Sequence, residues 1–256
     1  MATGERADVL LVERGLCESR EQAKRLVMAG EVRCGTERVA KPSTMLPRDA
    51  NLTVLRRPRY VGRGGLKMEG ALKAFEIDPT GWVCLDLGAS TGGFTDCLLQ
   101  HGASRIHAVD VGTNQLAWKL RQDPRVVVRE KYNARHLVES DLGERVDLVV
   151  MDLSFISLTK VLPAAVGVLK QEGELICLIK PQFELSREEV GKGGIVRESE
   201  LREKAVEKIR RFILGELQGE WAGLIESPIT GTDGNVEFLA RVRPAPVNQQ
   251  NDIAGN

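Results

Sequence analysis

Cys84-Leu85-Asp86-Leu87-Gly88-Ala89-Ser90-Thr91-Gly92-Gly93-Phe94-Thr95 is the stretch on which the fold turns. An apolar run of strand length enters a turn of small residues, and a helical segment, Phe94–Gln100, leaves it. Glycines in such a turn let a ligand approach the backbone, and the amides that begin the following helix are left free to bind it. A structural turn without ligand is one reading. A dinucleotide site is another, but it wants G-x-G-x-x-G, and the glycines here fall as G-x-x-x-G-G. The next apolar run ends in Val109-Asp110. An acid at that strand end accepts the ribose hydroxyls of an adenosine, for NAD and S-adenosylmethionine alike. A helix cap is the plain alternative for Asp110. Loop and acid together point to an adenosine-containing cofactor.

Working outward, short apolar runs recur at Trp82–Leu87, Arg105–Val109, Val126–Val128, Val146–Met151 and Leu175–Ile179. Helix-like segments separate them: Phe94–Gln100, Asn114–Arg121, Leu158–Leu169 and Glu198–Leu217. Continuous apolar strands alternating with helices predict an α/β fold, a mostly parallel sheet covered on both faces. Trp221–Glu226 and Val236–Val242 have no helix between them and predict an antiparallel pair at one edge. Upstream, Ala7–Glu13 reads as a helix closed by Gly15. Ser19 opens a second helix, with Gln22 as its capping-box partner, and Gly30 ends it. Val32–Val39, broken by Gly35, reads as a hairpin and Asn51–Leu55 as a further strand.

Composition narrows the function classes. The 256 residues carry 36 basic and 36 acidic side chains, but the balance is uneven along the chain. Residues 1–67 hold 14 Lys and Arg against 8 Asp and Glu, and the remainder is correspondingly acidic. A basic module joined to an acidic one suits an RNA-reading appendage on an enzyme; ordinary scatter of solvated charge reads the same. No apolar run approaches the roughly 20 residues of a membrane span, and the start shows no signal peptide. Cys17, Cys34, Cys84, Cys97 and Cys177 form no metal-ligand spacing, nor do His101, His107 and His136. No metal is expected, and the cysteines read as free thiols of a cytoplasmic protein.

The motifs LDLGASTGGFTD, AVDVGTNQLAWKLR, MDLSFISL, LIKPQFE, GKGGIVRE and SPITGTDGNVEFL closely resemble those of the TlyA family of ribosomal RNA 2′-O-methyltransferases. DVLLVERGLCESREQAKRLVMAGEV resembles the S4 RNA-binding domain that begins proteins of that family. Gly62 stands where the family usually has serine, and VGTNQLAW carries Thr113 and Asn114 in place of a common Tyr-Gly. The resemblance implies an S4-like domain with its basic linker over 1–59. It further implies an FtsJ-like, Rossmann-like class I methyltransferase domain with a seven-stranded sheet over 60–243; 244–256 are expected to be a disordered tail. S-adenosylmethionine is the implied cofactor. Asp86, Gly88, Ala89, Ser90, Gly92, Gly93, Phe94, Asp110, Asn133 and Asp152 are its expected contacts. The Lys–Asp–Lys–Glu tetrad of FtsJ-type ribose methyltransferases falls on Lys67, Asp152, Lys180 and Glu237.

The implied substrate is ribosomal RNA, free or in subunits: a cytidine of 23S RNA, with 16S RNA as a further target. A 2′-hydroxyl is almost wholly protonated at neutral pH. Lys180 is the candidate to take or steer that proton, which requires its pKa to fall from about 10.4 toward neutrality. Arg6, Arg14, Arg20, Lys24, Arg25, Arg33, Arg59 and Arg63 are the candidate RNA contacts, since structured RNA is read largely through shape and backbone. Three rival readings are a non-catalytic RNA- or ribosome-binding protein, a membrane-active haemolysin and an NAD oxidoreductase. The full tetrad argues against the first and the glycine spacing against the last. No helix pairs a strong apolar face with a lysine-rich one, as the haemolysin reading needs. Oligomeric state is not legible in the sequence.

Overall fold

The computed structural model describes residues 4–17, 19–55, 59–191, 193–231 and 233–245. The expected disordered tail therefore lies, from residue 246 on, outside the described residues, as do Arg56, Arg57 and Pro58 of the linker. The chain divides into two compact units, Met1–Arg59 and Tyr60–Asn256.

The first unit runs β1 (Glu5–Arg6), α1 (Ala7–Glu13), α2 (Arg20–Met28), β2 (Val32–Cys34), β3 (Glu37–Arg38), β4 (Met45–Leu46) and β5 (Leu52–Val54). β3, β2 and β5 form an antiparallel sheet in that order, and β1 pairs with β4. Local chemistry sets the helix ends. Ser19 Oγ accepts the Gln22 N–H at 3.2 Å, a cap worth about 1 kcal/mol. Gly15 and Gly30 follow the two helices at φ +66° and +76°, the left-handed conformation that glycine adopts without strain. Leu10 and Leu11 of α1 meet Ala23 and Val27 of α2 in a core that also takes Val32, Val39 and Leu52.

The second unit runs α3 (Gly64–Ala74), β6 (Val83–Leu87), α4 (Gly93–Gln100), β7 (Arg105–Val109), α5 (Trp118–Arg121), β8 (Val126–Arg129), α6 (Glu139–Leu142), β9 (Val146–Met151), α7 (Leu162–Gly167), β10 (Leu169–Ile179), α8 (Pro181–Glu184), α9 (Ser199–Gly215), β11 (Glu220–Glu226) and β12 (Phe238–Arg243). Its seven strands are ordered β11-β12-β10-β9-β6-β7-β8. β12 is antiparallel to both neighbours, and the other pairings are parallel. This is the seven-stranded Rossmann-like sheet that the resemblance implies. Strand residues alternate between two cores. Cys84, Leu148, Val150, Ile176 and Leu178 face α3 and α4, whereas Leu85, Leu87, Val149, Met151 and Cys177 face α7 and α9. Strand order reverses between β6 and β9, so a crevice opens at their carboxyl ends, where ligands of such folds sit.

Three expectations need correction, and one helix has no signature in the sequence. The helix expected over Asn114–Arg121 begins only at Trp118, because Asn114 takes φ +55° within a loop that leaves β7. The Leu158–Leu169 helix breaks into a 3₁₀ turn, Leu158–Lys160, and α7; Leu169 already pairs with Val146 in the sheet. The last strand starts at Phe238, which leaves Glu237 in the loop before it. α3 was not marked as a helix, since its Gly64-Gly65 start carries no capping signal.

Candidate active site

A cleft of about 620 Å³ lies at the carboxyl ends of β6, β9 and β10. One wall is the glycine turn. Gly88 sits at φ +84°, and a Cβ there would stand 2.5 Å from the Asp152 carbonyl oxygen, so only glycine lets β6 and β9 approach this closely. The Gly88 and Ala89 N–H groups donate to the Val109 carbonyl at 2.9 and 3.2 Å. Asp110 accepts the Ser90 N–H at 2.8 Å on Oδ2 and the Gly112 N–H at 2.7 Å on Oδ1. The acid at the end of β7 thus braces the turn, and each oxygen keeps a second lone pair.

Asp86 is 1% exposed. Its Oδ2 accepts the Thr95 N–H at 3.0 Å and hydroxyl at 2.6 Å, whereas its buried Oδ1 has no partner among the described residues. Burial pushes the carboxyl up to about 7, against the Thr95 hydrogen bonds and with a further rise from the Asp152 charge. The Gln182 side-chain oxygen is a second buried acceptor without a partner among the described residues, and both residues line the cleft. Unused acceptors at a glycine turn fit a ligand rich in donors, as the ammonium and ribose hydroxyls of S-adenosylmethionine are.

Beside the glycine turn the cleft gathers the tetrad. Lys67 comes from the first turn of α3, Asp152 follows β9, Lys180 follows β10, and Glu237 precedes β12. Lys67 Nζ donates to Glu237 Oε2 at 2.6 Å and lies 4.0 Å from Asp152 Oδ2. Lys180 Nζ meets Asp152 Oδ1 at 2.7 Å and donates to Ser154 Oγ at 2.9 Å. Lys67, Lys180 and Glu237 are buried, and the Asp152 side chain is 23% exposed. Four groups from distant parts of the sequence thus form one chain of contacts, with Asp152 between the two lysines.

Of the expected cofactor residues, Asp86, Gly88, Ala89, Ser90, Gly93, Phe94 and Asp152 line the cleft. Gly92, Asp110 and Asn133 do not. Gly92 caps α4 at φ +93° against Leu120. Asn133 caps its own turn, its Oδ1 accepting the Arg135 N–H at 3.1 Å. The sequence reading missed Ser154, Phe155, Gln182 and Phe183, although each stands two or three residues after a tetrad member within the quoted motifs. Phe155 is 91% exposed at φ +65°, with its ring 5.2 Å from that of Phe183. It also missed buried Asn235, which accepts the Val196 N–H at 2.9 Å and donates to the Gly194 carbonyl at 2.8 Å. Asn235 thereby ties together two loops that border the cleft.

The candidate RNA cations differ in what they already hold. Arg6 pairs with buried Asp8 at 2.9 Å and Arg20 reaches the same carboxylate at 3.2 Å. The Arg6 hydrogen bonds hold the Asp8 carboxyl below its ordinary value. Arg14 donates to the backbone carbonyls of Ala50 and Arg48. Arg33 donates to the Thr36 carbonyl at 2.7 Å, and Arg63, in the second unit, to the Thr230 carbonyl at 2.7 Å. Lys24, Arg25 and Arg59 are exposed.

Residues 60–243 match the FtsJ-like methyltransferase family and residues 5–51 the S4 domain. The chain is 48% identical to the 16S/23S rRNA (cytidine-2′-O)-methyltransferase TlyA of Mycobacterium tuberculosis, over 95% of this chain and 91% of that protein. It is 40% identical to Hemolysin A of Brachyspira hyodysenteriae, over 92% of this chain and 98% of that one. A solved structure named as a hemolysin, from Streptococcus thermophilus, superposes with a TM-score of 0.72 at 46% identity, covering 95% of this chain and 90% of its own.

Proposed function

The chain belongs to the TlyA family, FtsJ-like methyltransferases with an N-terminal S4 domain, and on that premise we propose that it transfers a methyl group from S-adenosylmethionine to a ribose 2′-hydroxyl of ribosomal RNA. The observation that carries this reading is the contact chain Glu237–Lys67–Asp152–Lys180 beside the glycine turn. The name of the mycobacterial relative specifies cytidine and both ribosomal RNAs. We extend the cytidine and the large-subunit RNA to this chain, with small-subunit RNA as a further target and the cytoplasm, where ribosomes are, as its place.

Bound S-adenosylmethionine supplies an electrophilic methyl group on a sulfonium. The chain supplies the rest. Asp86 Oδ1 takes ligand donors within the cleft, and the glycine turn admits the ligand to the backbone. Asp110 braces the turn at Ser90 outside the cleft lining, and its free lone pairs take donors that reach past Ser90. Asn133, whose oxygen is engaged by Arg135, has only its side-chain N–H groups left for a contact. In its neutral form Lys180 Nζ points its two N–H groups at Asp152 and Ser154, which leaves its lone pair for the substrate. There it orients the 2′-oxygen and receives its proton. Lys67 and Glu237 hold Asp152, and through it Lys180, in register. Alignment of this kind supplies about 7–11 kcal/mol of barrier lowering.

On the substrate side, the exposed Phe155 ring on the rim gives a face on which a nucleobase stacks, a contact worth about 1–3 kcal/mol. The S4 domain supplies affinity for the phosphate backbone. Lys24 and Arg25 are exposed; Arg6, Arg14, Arg20 and Arg33 also brace their own fold. Arg59 and Arg63 flank the start of the methyltransferase domain. Transfer of labelled methyl to isolated ribosomal subunits tests the reading. Wild type should label large-subunit RNA, and Lys180→Ala should not while still binding S-adenosylmethionine. Equal labelling by both would refute the role of Lys180. Despite the hemolysin-named relatives, no helix among the described residues is long and apolar enough to cross a membrane.

A further inference from the structure

Glu184, the last residue of α8, is 4% exposed although it is an acid. Its Oε1 accepts the Leu158 N–H at 2.8 Å and its Oε2 the Ser157 hydroxyl at 2.5 Å. Lys208 of α9 lies 3.2 Å from Oε2 and donates to the Glu184 carbonyl at 2.6 Å. One buried carboxylate therefore ties α8 and α9 to the far end of the arm 152–158. That arm supplies both groups that hold Lys180, Asp152 Oδ1 and Ser154 Oγ. Its near end is fixed to the sheet, where the Asp152 N–H donates to the Leu87 carbonyl at 3.1 Å.

Between the two fixed ends stands Phe155 at φ +65°. A bulky residue in that region is strained and persists only where its surroundings over-determine the backbone. Glu184 is what restrains the far end. Lys180 and Glu184 are also joined by α8 itself, so one short segment carries both the lysine and the brace of the arm that aims it.

We infer that Glu184 is a positioning residue of methyl transfer: by anchoring Ser157 and Leu158 it holds the strained arm that presents Asp152 and Ser154 to Lys180. The inference rests on the role given to Lys180 above. Without the carboxylate the arm relaxes at Phe155, Ser154 leaves Nζ, and the lysine loses its fixed direction. Cofactor binding at the glycine turn stays intact.

The test is steady-state methyl transfer to ribosomal subunits by the full chain, with kcat expressed per S-adenosylmethionine-binding site measured by calorimetry. Glu184→Ala should lower kcat about 10- to 100-fold, the cost of misplacing an aligned group, with KM for subunits and the cofactor Kd near wild type. Glu184→Gln, whose carbonyl still accepts the Leu158 N–H, should recover to within about five-fold of wild type, and Ser157→Ala should lose about three-fold. A purely structural role would lower the melting temperature and the number of binding sites while leaving kcat per site unchanged, and that result overturns the inference. Should Glu184→Ala fail to fold, Ser157→Ala decides: a kcat loss at constant KM supports the brace, and wild-type kcat refutes it. A wild-type chain that transfers no methyl would remove the functional reading, and this inference with it; an active wild type beside an unimpaired Glu184→Ala removes the inference alone.

Discussion

Asp86 couples its proton to both folding and ligand binding. Burial lifts its carboxyl to about 7, whereas in the unfolded chain it ionises near about 4. Between those values the folded state keeps a proton that the unfolded state has lost. Stability from this group therefore falls as pH rises from about 4 to 7, by up to about 1.4 kcal/mol per pH unit, and levels off above. Asp86→Asn should flatten that slope, as urea unfolding at pH 5, 6, 7 and 8 would read. Donors arriving at the open Oδ1 favour the ionised form. S-adenosylmethionine binding at pH 6 should then release a proton, with much less released at pH 8. Calorimetry in buffers of different ionisation enthalpy measures this, and no release at pH 6 would place the ligand's donors elsewhere. The motifs that carry Asp86 and the tetrad were readable because each side chain has a local signature. Glu184 and Asn235 were not, because their side-chain partners lie 24 to 41 residues away.

At the scale of elements, α2 shows how one helix serves fold and substrate together. Ala23 and Val27 turn inward, Arg20 holds the buried Asp8 carboxylate, and Lys24 is exposed. Lys24→Glu should weaken RNA binding, reduce the slope of log affinity against log salt by about 1, and leave melting unchanged. Arg20→Glu should weaken binding and also lower the melting temperature, because it sets a second acid against Asp8. Gel-shift titration over a salt series, with thermal melts, separates the two; unchanged binding by Lys24→Glu would count against α2 as an RNA contact. Gly88→Ala should abolish cofactor binding, since φ +84° and the Asp152 carbonyl leave no room for a methyl. Where a cap or a continuous apolar run marked an element, as for α2 and β9, the sequence reading found it. It failed where tertiary context decides. Asn114–Ala117, expected to open a helix, is drawn instead into a loop beside the glycine turn, where the Ala117 N–H donates to the Thr91 carbonyl at 3.1 Å.

Over the whole molecule, each unit carries its own core. The N-terminal one is built on Leu10, Leu11 and Val27, and the other fills both faces of the seven-stranded sheet. Division of labour follows. A chain of residues 60–256 should bind S-adenosylmethionine with unaltered Kd but lose most of its affinity for ribosomal RNA, read by calorimetry and filter binding. The division was legible as a change from short helices and hairpins to alternating strands and helices, and as the shift from basic to acidic near residue 67. The central claim is that the methyl group lands on a ribose 2′-oxygen under the control of Lys180. The most direct test is alkaline hydrolysis of ribosomal RNA labelled by the protein from S-adenosylmethionine, because a 2′-O-methyl group makes the adjoining phosphodiester resistant to base. Label should be confined to an alkali-resistant cytidine-containing dinucleotide of large-subunit RNA and be absent with Lys180→Ala. Label in single, alkali-released nucleotides would mean a methylated base and would contradict the central claim.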